Sequence, residues 1–208
     1  MDKHYPRQYL SPSQFVLFKR DKNAYFDRYL FGKTFSNKYT EFGKWVHGEL
    51  EKPESENEAI EMIRPIIPEC DKHELEVKAE INGVPLLGYI DKLNTKEKIL
   101  IDIKTSKNPF SQQKADELEE LTLYQLLIAE KLKFVPLRTY IVWLETADDG
   151  SGLYLTGNTK LIETKRTKKQ LDYTRNEIAE VWEEIGVACN KKLEDTFNGI
   201  GNKKTITL

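Results

Sequence analysis

Two carboxylates and an ammonium stand close together in Leu87–Lys104, LGYIDKLNTKEKILIDIK: Asp91, Asp102 and, two residues past the second acid, Lys104. Read as two strands, Pro85–Leu93 and Ile99–Lys104 joined by a turn over Asn94–Lys98, the stretch puts Asp91 directly opposite Asp102 if the turn centres between Lys96 and Glu97. Directly opposite residues share a face with Cβ atoms about 5 Å apart. Lys104 falls on that same face, because strand side chains alternate with period two. Like charges placed opposite each other destabilise a sheet, and a divalent cation held by oxygen ligands would compensate them. The same alternation puts Ile90, Ile99, Ile101 and Ile103 on the other face as core, leaving the acids and the lysine on a non-core face.

The elements that must position these groups follow in chain order. Residues 1–10 read as a loose arm. Ser11 is a candidate cap with Pro12 at the first helical position, opening an aromatic helix over Gln14–Leu30. A second helix, Tyr39–Lys52, carries an apolar stripe of Phe42, Val46 and Leu50, with His47 and Glu51 one turn apart on another side. Ala59–Ile66 reads as a short helix. Leu75, Val77, Ala79 and Ile81 alternate with charged residues, and Asn82-Gly83 is a hairpin turn that pairs Glu76 with Tyr89 and Glu74 with Asp91. Glu74 and Glu76 therefore share the acidic face, where either extends a metal site or is solvated.

Lys114–Leu132 reads as one long helix with a stripe including Leu121 and Tyr124. Arg138–Glu145 is a strand that a right-handed crossover makes parallel to 99–104. Leu153–Thr156 and Lys160–Thr164 form a further hairpin or edge strands. Lys165, Arg166, Lys168 and Lys169 make the densest basic run, fit for phosphate contact or for a solvated helix start. A final amphipathic helix spans about 168–197, and 198–208 is a short uncapped tail.

The chain has 208 residues, enough for one domain with a real core, divided into a helical part (1–70), a sheet core (73–164) and the last helix. The fold class is α/β: a mixed sheet flanked by helices. A net charge of −2 excludes a global basic field, so a nucleic-acid partner must meet a local patch. Cys70 and Cys189 are the only cysteines, which excludes disulfide scaffolds, zinc ribbons and four-cysteine clusters and fits a reducing cytoplasm. No segment has the length and apolarity of a signal or a membrane span.

The order His47, then Gly88-Tyr89-Ile90-Asp91, then Ile101-Asp102-Ile103-Lys104-Thr105-Ser106, then Tyr124 resembles the RecB-like branch of the PD-(D/E)XK nucleases, the group of the Cas4-like and mitochondrial genome-maintenance exonucleases. The opening LSPSQFVLFKRDKNAYFDRYL and EFGKWVHGELE resemble that group's N-terminal helices and histidine motif. The resemblance covers about residues 10–145 and implies a restriction-endonuclease-like core. It implies that Asp91, Asp102, the Ile103 carbonyl and His47 bind Mg²⁺ or Mn²⁺; Glu76 is a further metal candidate from its place on the acidic face, not from the resemblance. It implies that Lys104 handles the attacking water and that Tyr124 sits beside the scissile strand. Two departures stand out: Glu120 occupies the place of the family's usual glutamine, four before Tyr124, with Gln125 pointing elsewhere, and the iron–sulfur cysteines of several relatives are absent. The implied activity is a metal-dependent DNA exonuclease, of a kind found in phages, acting alone or with recombination, repair or replication proteins, and compatible with an oligomer. Two alternatives stay open: a catalytically weak nucleic-acid-binding subunit, for which Glu120 is the support, and a structure-specific endonuclease. A sugar-nucleotide or other small-molecule metal enzyme on an unrelated fold has no Gly-rich phosphate loop in its favour.

Overall fold

A computed structural model describes residues 3–34 and 36–203. Ser11 caps helix α1 (Pro12–Arg20) by accepting from the Gln14 N–H. The expected single helix to Leu30 is broken at Asp21, whose extended backbone (φ −153°) ends α1 while its carboxylate caps α2 (Lys22–Tyr25), which continues as a π turn to Leu30. Helices α3 (Lys38–Glu51) and α4 (Glu58–Ile63) follow. Five strands come next: β1 (Lys72–Ile81), β2 (Val84–Asn94), β3 (Ile99–Ser106), β4 (Arg138–Asp148) and β5 (Leu153–Thr164). Between β3 and β4 lie α5 (Gln112–Asp116) and α6 (Glu119–Leu132), so the expected long helix is interrupted after Asp116. Helix α7 (Lys168–Lys203) runs through much of the expected tail, whose end, 204–208, lies outside the described residues.

The sheet order is β1-β2-β3-β4-β5, antiparallel except for the parallel β3–β4 pair. The Asn82-Gly83 turn has both residues at positive φ (51° and 77°) and sets Glu76 against Tyr89. The two segments foreseen after Gly152 are one continuous strand, β5, paired to β4 across a register shift near Thr146.

Both faces of the sheet are covered, which corrects the expectation of a non-core face. Helices α1, α6 and α7 enclose one core with Leu86, Ile90 and Leu100; α3 and α4 enclose a second with Ile99, Ile101 and Ile103. Ile90 thus parts company with the other three isoleucines. The physical reason is a kink in two paired strands. Leu75 opposes Ile90 and His73 opposes Lys92, but Glu74, between them, has φ +43°. Leu75 and Ile90 pack in the first core, whereas His73 and Lys92 face the other side, beside Leu50 and Cys70. Period-two alternation is broken at Glu74 and Asp91.

Residues 3–10 are no loose arm, while 1–2 lie outside the described residues. Leu10 is fully buried and hydrogen-bonded with Pro85 and Leu87, and Tyr5 stacks on Trp182 of α7 at 4.2 Å. Among the described residues, no helix is long and apolar enough to cross a membrane.

Candidate metal and catalytic centre

The paired part of β2–β3 ends at Lys92↔Ile101. Carried one step further, that register sets Asp91 against Asp102. There the ladder opens, and the Ile103 N–H donates to Asp91 Oδ2 at 2.6 Å. Ile103 keeps its side chain in the second core and offers the site its backbone alone. The strand end is held by the Trp143 indole, which donates to Ser106 Oγ at 2.9 Å.

Helix α3 reaches the same place from the second face. Val46 and Leu50 anchor it, and the neighbouring His47 is turned about 100° from that stripe. His47 Nδ1 lies 3.1 Å from Glu74 Oε1 and 3.8 Å from Asp91 Oδ1. Ligand atoms of His47, Glu74 and Asp91 all fall within 4.8 Å of one another. Of the two glutamates on β1, then, Glu74 joins the cluster. Glu76 is turned away, accepting from the Tyr89 hydroxyl (2.8 Å) and from Lys78 (2.7 Å). The kink at Glu74 separates two residues that an unbroken strand would put on one face.

Asp102 stands outside the His47–Glu74–Asp91 trio. It is 2% exposed, beneath α6, and its Oδ2 lies 3.1 Å from Lys104 Nζ. Lys104 is the one cation that meets this oxygen among the described residues. Burial, and then the Asp102 charge, push the Asp91 carboxyl up to about 7. Burial also raises Asp102, with Lys104 opposing it and Glu120 reinforcing it. For Lys104, burial works against the charged form, but Asp102, Glu120 and Asp91 outweigh it and hold the ammonium well above the usual lysine range.

Helix α6 closes the first face. Gly88 lets it come near, since a Cβ there would sit 2.7 Å from Leu127 Cδ1 and 3.3 Å from the Tyr124 ring. Tyr124 is raised by burial and by Asp102 and Asp91, so its hydroxyl keeps its proton as a donor. Glu120 Oε2 lies 3.5 Å from Lys104 Nζ. Gln125 is buried on the far side, donating to Thr139 at 2.9 Å.

The basic run after β5 divides. Arg166 is spent inside the chain, donating to Thr122 and Thr164 hydroxyls and to the Ala115 and Leu118 carbonyls, which pins the α5–α6 break. Lys165, Lys168 and Lys169 are exposed.

These donors fit a hard divalent cation. Carboxylate oxygens and one imidazole are gathered where the acids outnumber the one ammonium, Lys104, and a divalent cation would offset the excess. The cysteines offer nothing comparable: Cys70 flanks the second core and Cys189 is buried in the first.

Residues 54–199 match the family model of the PD-(D/E)XK nuclease superfamily, well over half of the chain. The fold is similar to that of a phage-related exonuclease from Haemophilus somnus 129PT (TM-score 0.55, 16% identity, covering 89% of this chain and 83% of that one). It is also similar to a provisionally assigned exonuclease from Eubacterium rectale (TM-score 0.54, 12% identity, 86% and 82%). No curated protein sequence matches the chain. The mixed five-stranded sheet with its flanking helices is the restriction-endonuclease-like fold of that superfamily.

Proposed function

The chain belongs to the PD-(D/E)XK nuclease superfamily, whose members are metal-dependent nucleases, and from that premise we propose that it is a Mg²⁺- or Mn²⁺-dependent exonuclease acting on DNA ends or single strands. The observation that carries this reading is the gathering of four carboxylates, Asp91, Asp102, Glu74 and Glu120, with a single ammonium, Lys104, and the His47 imidazole among them. One ammonium offsets only part of that negative charge. We further place it in the RecB-like branch without an iron–sulfur cluster, working alone or with recombination, repair or replication proteins.

Asp91, Asp102, Glu74 and His47 would hold the cation, with the Ile103 backbone alongside. When bound, a divalent ion lowers the pKa of its water and offsets phosphate charge. The remaining work falls to the chain's own groups. The Ile103 N–H fixes the Asp91 carboxylate from behind. Lys104 stays an ammonium in the field of three carboxylates, so it orients the attacking water and steadies charge on the phosphoryl oxygens rather than acting as a base. Tyr124, kept protonated, is a donor for the strand being cut. Glu120 takes part of the Lys104 charge, where a glutamine would leave the ammonium to the substrate.

The test is a time course on end-labelled linear DNA, single- and double-stranded, in Mg²⁺, Mn²⁺ or EDTA, beside closed circles and the Asp102→Ala protein. Metal-dependent loss of linear DNA alone, absent in the variant, is the expected result, and the label position gives the polarity. Nicking of circles would make the enzyme an endonuclease. Retarded DNA without any cleavage would favour a binding subunit, the reading that Glu120 beside Lys104 supports.

A further inference from the structure

A second feature opens beside the metal centre. A cavity of about 550 Å³ lies between the N-terminal segment, the α1 start, the α2 π turn and β2. Its wall includes Gly88 and Tyr124, so it adjoins the catalytic cluster. Arg7, Arg28, Lys33 and Lys44 line it, and among the described residues no carboxylate does. Lys33 is paired with Asp27 at 2.8 Å and Lys44 with Glu41 at 3.1 Å, so the charge open to an anion is that of the two arginines.

The arginines are the sharper observation. Arg7 lies over the Tyr29 ring at 5.7 Å and Arg28 lies over the same ring at 5.4 Å. Two like charges are thus gathered on one tyrosine, and neither is ion-paired among the described residues. Ser11 and Ser13, at the N-terminus of α1, face the same space and add hydroxyl donors at the positive end of a helix. Tyr89, 51% exposed on the floor, offers a flat aromatic surface. Aromatic faces interleaved with cations are what unstacked bases and a sugar–phosphate backbone require. The volume suits roughly one or two nucleotides and not a double helix.

We propose that this cleft holds the single-stranded part of the substrate next to the scissile bond, with Arg7 and Arg28 on phosphates and Tyr29 and Tyr89 against bases. The proposal rests on the nuclease reading for the identity of the polymer. It gives the segment from Arg7 to Ser13 and the π turn a binding role that neither the basic run at 165–169 nor the net charge pointed to.

Binding in EDTA separates the cleft from the chemistry. The probe is a fluorescein-labelled oligothymidylate of about twelve nucleotides, within the span of known single-strand sites, compared by anisotropy with a blunt duplex. Arg7→Ala/Arg28→Ala in the full chain should weaken single-strand binding about tenfold or more and lower the log–log salt slope by about one to two. Lys33→Ala/Lys44→Ala should give a smaller loss in the same direction, and Lys131→Ala/Lys191→Ala, with charges removed elsewhere, none. All four cleft cations are exposed, and matching far-ultraviolet spectra would exclude unfolding. An arginine variant that binds like the Lys131/Lys191 control overturns the cleft and leaves the nuclease reading standing. Equal loss for the blunt duplex overturns the single-strand assignment. Selective loss in a protein that never cleaves DNA keeps the cleft and removes the nuclease reading instead.

Discussion

Asp91 and Lys92 are neighbours on β2, yet the charged clusters they belong to are built on opposite principles. On the second face, Lys92 is 6% exposed, with its ammonium 2.8 Å from His73 Nδ1. Beside it Arg64 donates to the Glu49, Leu50 and Lys52 carbonyls and to Glu61. Those carbonyls are the orphaned acceptors at the end of α3, so the arginine closes a helix terminus. In the cluster around Asp91 and Asp102 the charges are mostly alike, the acids outnumber the one ammonium, Lys104, and two acids are raised by burial. Buried charge that the chain satisfies holds the fold together; buried charge that it leaves open holds a place for something else.

That contrast breaks most visibly at Asp102. Asp102→Asn should lower turnover by about a thousandfold or more, yet leave the metal-free protein at least as stable, since it removes one of several crowded carboxylates that Lys104 alone offsets and leaves that ammonium Glu120 and Asp91. Lys104→Ala should remove turnover to a similar degree while DNA affinity in EDTA stays within about threefold. The opposite pattern belongs to Arg64→Ala, which should cost about 2–3 kcal/mol of stability through the lost helix-end hydrogen bonds and leave the rate per folded molecule unchanged. Denaturant unfolding beside initial rates checks all three.

Acidity sharpens the comparison. An unfolded Asp91 titrates near its ordinary value of 3.8, and the folded one near 7. Between those values the folded state binds a proton that the unfolded state lacks, so this group makes the metal-free protein less stable as pH rises from about 4 to 7. The midpoint of urea unfolding in EDTA should decline across that window, and Asp91→Asn should flatten the decline. The smallest effect is expected from Glu120→Gln. Removing one carboxylate 3.5 Å from Lys104 should tighten DNA binding by a few-fold, read by anisotropy without metal.

How far the sequence reaches depends on whether a feature is set locally. The Asn82-Gly83 turn fixes the β1–β2 register, and the turn over 95–98 fixes the β2–β3 register that carries Asp91 to Asp102. The Val46–Leu50 stripe and the parallel β3–β4 pair follow from periodicity and connection length in the same way. The kink at Glu74 does not, because it arises where α3, through His47, meets two strands at once. The hairpin register by itself carries Glu74 to Asp91 and Glu76 to Tyr89, and the kink adds the break in side-chain alternation there. The anchoring of Leu10 to β2 and of Tyr5 to α7 depends on partners far along the chain. So does the use of Arg166 as an internal clasp, which its neighbours in the basic run gave no reason to expect.

If the crowded acids await a divalent cation, thermal unfolding of wild type and Asp102→Asn, in EDTA and with Mn²⁺ or Mg²⁺, will register it. The variant should equal or exceed wild type in EDTA, and metal should raise the wild-type midpoint, by an amount equivalent to about 2.7 kcal/mol at a hundredfold excess over Kd, while the variant scarcely responds. A wild-type midpoint indifferent to both ions, with Asp102→Asn clearly less stable in EDTA, would show that the acids hold the fold and not a metal.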